Sequence, residues 1–287
     1  MQPPGAGRTL NRFKSSHGFK TLRDRMRGRF NIYEEPELKE PLLVLGFRGW
    51  ADAGRISSGS VGYLIRKLGA RRFGEIIPYD FYILQNSRPL GWIEEGIIRK
   101  IEWPSTELFY YKNTGGNDLI FLLGDEPNFR PNEYVEAIID LAGFYKVRRI
   151  YIIGGVVTPE VSTIGEQPVE AVVGDQKLKD ELEEHGIGYV TYGSSRQLAP
   201  VGIHSLLVLA CQKRGIDAIS LWGQAPPSAS VYPRSICTML EKLIEMLKIN
   251  IDLEDIERAS RDFDRLMEEA TRQQEPAWRR EPPEYFY

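Results

Sequence analysis

The sequence predicts an α/β fold: a mostly parallel, twisted sheet flanked by helices, with an antiparallel hairpin extension. Three observations predict it. Short apolar runs end in glycine-rich or acidic turns. Segments with apolar residues at helical spacing follow those turns. The β–loop–α rhythm then repeats with short connections, as a parallel sheet covered by helices requires.

The first unit is Pro41 to Gly62, PLLVLGFRGWADAGRISSGSVG. Leu42 to Phe47 reads as a buried strand, and Ala53 to Leu68 as a helix. The turn between them carries Trp50 and Asp52. Phe73 to Leu84 reads as a strand and an edge segment. Gly96 to Trp103 alternates in polarity and is expected to pair with Leu108 to Lys112 as a hairpin turning at Pro104-Ser105. Asp118 to Leu123 is a second buried strand, followed by Gly124-Asp125-Glu126-Pro127 and a helix from Asn132 to Phe144. Arg149 to Gly154 is a third, with Gly154-Gly155 expected at its end. A short polar helix at Leu178 to His185 precedes a short strand, Tyr189 to Tyr192. Val201 to Arg214 is an apolar helix stopped by Gly215. Asp217 to Gly223 is a strand, Pro233 to Lys248 a helix. Asp252 to Ala270 is a charged helix with a stripe of Leu253, Ile256, Phe263 and Leu266.

These elements divide the chain into a basic, flexible or loosely docked arm (1–35), one α/β domain (36–250), a charged helix (251–272) and a tail (273–287). Composition is that of a folded protein, 42% hydrophobic and 27% charged. The net charge of -3 hides an asymmetry: residues 1–30 hold eight Lys or Arg and one acid, Asp24. Charge alone is compatible with nucleic-acid binding by the arm, but its aromatics, Phe13, Phe19 and Phe30, are too few to make stacking on bases the favoured reading. The two cysteines, Cys211 and Cys237, lie in apolar helical contexts and read as buried thiols rather than a disulfide. There is no apolar run of membrane-spanning length and no secretory h-region, so a cytoplasmic protein is expected.

The chemistry on offer is sparse. There is no GxGxxG, no GxxxxGK[ST] and no GxSxG. No cofactor is indicated, and the three histidines, His17, His185 and His204, have no metal-ligand spacing. Ser57, Ser58 and Ser60 read as small residues at a helix start, and Ser194 and Ser195 have no base nearby in sequence. Acids at strand ends are the stronger signal. Asp52, Asp125 and Glu126 follow consecutive strands, whose carboxyl ends converge on one crevice in a parallel sheet. Paired carboxylates there suit acid–base work or the binding of a divalent cation. Against that stand simpler roles: Asp52 as the cap of the following helix, Glu126 as a partner for Arg130. Gly154-Gly155 permits close approach of an anion to backbone amides, or merely a tight turn.

Several segments together resemble one family. GFRGWADAG at 46–54, LLGDEPNFR at 122–130, IIGG at 152–155, PVGIHSLLVLACQKRGI at 200–216 and SLWGQAPPS at 220–228 with Tyr232-Pro233 are similar in order and spacing to the PAC2 family, the proteasome assembly chaperone 2-like proteins. The resemblance runs from about Pro41 to Ala259. It implies a fold like that of purine nucleoside phosphorylases, without their activity. It further implies a non-enzymatic, self-associating interaction protein, a trimer being one candidate, with a protein client such as a proteasome subunit. Gln167-Pro168, Ala199-Pro200 and Pro226-Pro227 depart from the family's Arg-Pro, Gly-Pro and Pro-His pairs, which weakens any ligand role at those places.

Two functional readings follow. The favoured one is an interaction surface at the strand-end crevice, formed by Arg48, Trp50, Asp52, Asp125, Glu126, Arg130, Gly154, Gly155 and Tyr232. The rival is a small-molecule-binding protein or hydrolase, with Asp52 or Glu126 as general base and His204 as acid. It requires those groups to converge on one substrate.

Overall fold

The computed structural model describes residues 28–83, 85, 87–158, 167–190, 202–227 and 229–274. The readings of residues 1–27, Tyr192, Ser194-Ser195, Ala199-Pro200 and the terminal aromatics Tyr285, Phe286 and Tyr287 lie outside these residues.

The strands are β1 Phe30–Ile32, β2 Leu42–Arg48, β3 Arg71–Ile76, β4 Leu90–Glu94, β5 Ile97–Glu102, β6 Thr106–Tyr111, β7 Leu119–Asp125, β8 Arg149–Val157, β9 Glu170–Val173, β10 Gly188–Tyr189 and β11 Asp217–Ala225. The helices are α1 Ile56–Leu68, α2 Pro131–Tyr145, α3 Gln176–Glu184, α4 Ile203–Arg214, α5 Pro233–Leu247 and α6 Glu254–Gln274. A 3-10 turn, Ala53–Arg55, leads into α1.

One nine-stranded sheet has the order β1-β3-β6-β7-β2-β8-β11-β9-β10. Its centre, β7-β2-β8-β11, is parallel. β1, β3 and β6 add an antiparallel wing beside β7, and β9 pairs antiparallel with β11 on the other side. Both faces are covered. Leu43, Leu45, Phe47, Ile120, Leu122, Ile150 and Ile152 face one core, built with α2 and α4. Leu42, Val44, Leu119, Phe121, Tyr151, Ile153 and Leu221 face the other, built with α1 and α5. That is why the central strands read as unbroken apolar runs: alternate residues enter different cores.

The expected hairpin exists, but its partners differ. β5 pairs with β4, through a two-residue turn at Glu95 and Gly96, both at positive φ (50° and 78°). That geometry suits the twist of a tight hairpin. It stands as a separate two-stranded sheet, while β6 joins the main sheet between β3 and β7. Residues 104–105 therefore connect two sheets rather than turn one. Nor are residues 28–35 wholly part of a loose arm. Phe30 and Ile32 are buried, with Asn31 exposed between them, and β1 pairs with β3. Gly154 and Gly155 lie inside β8, which continues to Val157.

The charged C-terminal helix docks on α5. Tyr232 meets Phe263 edge-on at 5.5 Å, and Arg234 pairs with Asp264. Leu253 is buried and Ile256 and Phe263 are partly so, whereas Leu266 is exposed. Both cysteines are buried and free, and burial pushes each thiol up to about 12.

A small side chain holds the middle of the sheet together. β2 and β8 pair as far as Gly46 and Ile153. Beyond that, the Ser57 hydroxyl, fully buried at the start of α1, donates to the Ile153 carbonyl and accepts from the Phe47 N–H at 2.9 Å. Ser57→Ala leaves two buried backbone groups unpaired. Urea unfolding is expected to show a loss of about 2 kcal/mol. A loss below about 0.5 kcal/mol would mean that the strands rejoin without it.

Candidate functional site

The carboxyl ends of β2, β7 and β8 form the predicted crevice, and the chain itself fills it. After β2 the backbone turns back onto β8: the Gly155 N–H donates to the Ala51 carbonyl at 2.7 Å, and Asp52 forms a parallel bridge with Gly155. The approach is close. A side chain at Gly155 would place its Cβ 2.5 Å from the Ala53 carbonyl oxygen. At Gly154 it would meet Trp222 and His204 at 2.8 and 2.9 Å. The glycine pair thus admits protein packing on both sides of β8, rather than forming the tight turn or anion cradle considered from sequence.

Asp52 is committed to α1. Its carboxylate accepts from the Ser58 N–H at 2.9 Å and from the Ser58 hydroxyl at 2.6 Å. It thereby satisfies one of the amides a helix start leaves without an internal partner. Burial raises its pKa, against the lowering effect of those hydrogen bonds.

Glu126 has a different task. Its Oε2 accepts from the Trp50 N–H at 3.0 Å, while its own N–H donates to the Arg48 carbonyl at 2.8 Å. It clasps the loop at Gly49-Trp50 from the end of β7. The expected pairing with Arg130 is not found. Arg130 lies over the Phe129 ring at 5.2 Å, at the left-handed residue that opens α2. The ion pair at this place is instead Arg48 with Asp125, a two-pronged contact at 2.9 and 3.2 Å. Asp125 also accepts from the Ser105 N–H at 3.0 Å. Planar matching makes such pairs specific in geometry, although their exposure limits their energy.

His204 is 3% exposed. Its Nδ1 lies 3.0 Å from the Ser220 hydroxyl, its ring 4.5 Å from Trp222 and 6.2 Å from Phe47. Burial lowers its pKa to about 3. It is neutral at pH 7 and a very weak base, poorly suited to shuttle protons. Tyr232 is also a packing group: its N–H donates to the Gly54 carbonyl at 2.8 Å, and its side chain is 1% exposed.

The structure therefore brings Trp50, Glu126 and Gly49 together, Arg48 with Asp125, and Asp52 with Gly155. It does not join Asp52, Glu126 and His204 by any hydrogen bond among the described residues. Also among these residues, no three His, Cys, Asp or Glu side chains are grouped to hold a metal ion, and no helix is long and apolar enough to cross a membrane. Beside the exposed Arg48–Asp125 pair, the crevice carries an apolar rim. Trp50 is 72% exposed, and Phe129, Val156 and Val157 are exposed beside the ends of β7 and β8. Sequence reasoning missed the buried network under this rim. Tyr82 OH donates to the Asp125 carbonyl at 2.7 Å, and Thr106 links Tyr82 and Tyr134. Isolated Tyr and Thr residues carried no signal for it.

The fold and site define a class: a mixed α/β domain whose strand-end crevice is closed by the loop after its first central strand. The chain belongs to the PAC2 family, whose model matches residues 46–271. No curated protein matches it. Among solved structures it is similar to a PAC2 family protein from Streptomyces avermitilis, at 25% identity and TM-score 0.69, covering 80% of this chain and 95% of that one. It is similar in fold to a proteasome-assembly chaperone homologue of Mycobacterium tuberculosis (22% identity, TM-score 0.71, covering 79% and 94%). The same holds for PbaB of Pyrococcus furiosus, an archaeal proteasome activator (22% identity, TM-score 0.68, covering 84% and 98%).

Proposed function

We propose that this protein is a non-enzymatic, assembly-chaperone-like interaction protein that works in the cytoplasm as a homo-oligomer, with a proteasome subunit as its client. Family membership supports a chaperone-like role. The observation that carries the non-enzymatic reading is the closed crevice. Asp52 holds the Ser58 amide and hydroxyl, Glu126 holds the Trp50 amide, and His204 is buried against Ser220. Among the described residues, these three groups form no convergent acid–base pair for a substrate. The exposed rim of Trp50, Phe129, Val156 and Val157 offers the apolar surface that protein partners use.

Native mass spectrometry of the full-length protein, purified gently from its host, tests this. A discrete oligomer, a trimer among the candidates, carrying a proteasome subunit is the expected result. An oligomer that retains only a stoichiometric metabolite would overturn the reading and return attention to the Asp52–Glu126 crevice.

A further inference from the structure

A cleft of about 1000 Å³ lies between the β4–β5 hairpin and the body, at the upper end of the sizes that ligand sites have. Its walls mix two kinds of side chain. Tyr79 and Trp103 meet edge-on at 5.8 Å and are 70% and 40% exposed. Beside them stand five acids against four bases. Arg72 serves both Glu75, at 2.5 Å, and Glu107, at 3.1 Å, while Glu126 holds the Trp50 amide rather than a cation.

The N-terminal segment of the chain joins the body at this cleft. One row of the sheet runs through Phe30, Ile76, Thr106 and Gly124, so β1 starts at the end of the sheet where β7 finishes. The Arg29 carbonyl accepts from the Ile77 N–H at 2.9 Å. Asn31, on the cleft wall, donates to Glu75 at 2.9 Å. Residues 1–27 therefore meet the described chain at the mouth of the cleft. Their composition matches its walls. They hold seven Lys or Arg, one acid, Asp24, and two phenylalanines, Phe13 and Phe19. Their net charge is +6, which leaves -9 of the total -3 on residues 28–287. Arg29, the next base along, already sits on an acid of the body, Asp140, at 2.6 Å. Phe19 is nine residues from Gly28, a reach of about 30 Å when extended.

We infer that the chain's own N-terminal segment, residues 1–27, occupies this cleft, with its basic side chains on the wall acids and its phenylalanines against Tyr79 and Trp103. Tethering decides the occupant. A segment joined at the mouth of the cleft is present at an effective concentration in the millimolar range, ahead of any free basic chain of the same composition. The opposite net charges of segment and body draw the two together. Seated there, the segment covers Arg48, Gly49, Asp125 and Glu126. It guards the side of the crevice where the Trp50 loop is fastened, and its displacement opens that side to a partner.

This inference rests neither on the client nor on the oligomer, and the full-length chain tests it. Carbodiimide joins a lysine to a carboxylate that it touches. In an equal mixture of unlabelled and nitrogen-15-labelled protein, Lys14 or Lys20 is expected to link to Glu75, Glu102 or Glu107 of the same chain. Links to acids elsewhere overturn the docking. Links between labelled and unlabelled chains assign the segment to a neighbouring copy and overturn it as well. Hydrogen exchange is the second readout, on the unaltered chain and on a full-length Arg12→Glu/Lys14→Glu/Lys20→Glu/Arg23→Glu variant. Amides within residues 77–79 and 100–105 are expected to exchange about 10-fold faster in the variant near 0.1 M salt, each reversed charge being worth a factor of about two. The difference should vanish near 1 M salt, where charges are screened beyond about 3 Å. Unchanged exchange in β2 and β7 would show that the fold is intact. Equal rates in the two chains at low salt would mean that the segment does not lie in the cleft.

Discussion

Gly155→Val is expected to lose about 3–5 kcal/mol of stability, the largest effect of any single change in the crevice. The reason is the identity of what the new side chain meets. Its Cβ would stand 2.5 Å from the Ala53 carbonyl oxygen and 3.0 Å from the Ala53 nitrogen. Those are backbone atoms and cannot rotate aside. The loop after β2 must lift, and the hydrogen bond from Gly155 to Ala51 goes with it. Hydrogen exchange should then rise across residues 49–55 before it rises in β7. Gly62→Ala is the control. It lies within α1, its Cβ would find Leu123 at an ordinary 3.6 Å, and helix propensity favours alanine there. That variant should be neutral or up to about 1 kcal/mol more stable. Equal behaviour of the two glycine variants would show that the loop does not pack on β8 as described.

The second large effect is on acid stability. Burial holds the folded pKa of His204 at about 3, against the ordinary 6.5 of histidine, so the unfolded chain takes up a proton that the folded chain refuses. Stability from this group is complete above about pH 6.5 and declines as pH falls towards about 3. Between pH 6.5 and 4.5 the loss is about 2 kcal/mol, from roughly 1.4 kcal/mol per unit once the unfolded imidazole is mostly protonated. His204→Phe should be less stable at pH 7, because Ser220 loses its partner. It should lack this acid-dependent loss, so the two stabilities approach or cross as pH falls. Denaturant titrations of both chains at several pH values measure the difference, which removes the contribution of the titrating groups the two chains share. Parallel curves would mean that the imidazole is reached by water and titrates normally, and would reopen a proton-transfer role for it.

The candidate site was only half legible. The loop at 49–54 and the acids after β2 and β7 stood out as strand-end features, and they do meet at one end of the sheet. Their partners were legible only in part. Asp52 bonding to Ser58 is local, six residues away, and helix capping anticipates it. Glu126 pairing with Trp50 spans 76 residues, and the nearby Arg130 made a more obvious but unrealised partner. The hairpin shows the same limit. Alternation from Gly96 to Trp103 announced a strand, but nothing in that strand distinguished a partner on its N-terminal side from one on its C-terminal side. The Glu95-Gly96 turn was the available clue, because both residues adopt positive φ.

By itself the sequence determined the succession of the central strands and their helices, the covering of the sheet by helices and the family, but not β1, β4 or β9. These follow from patterns of period two and 3.6, from capping residues and from short motifs, all carried within a few residues of one another. Only the tertiary structure decided what the polar groups do. Ser57 joins Phe47 to an Ile153 carbonyl 96 residues away, and His204 meets Ser220 in a space that Gly154 leaves open. A hydrogen bond depends on which chains lie side by side and on how much water they exclude. Neither quantity exists until the strands have paired, which is why the sequence left these acids open between acid–base and fastening roles and the fold shows them as fastenings.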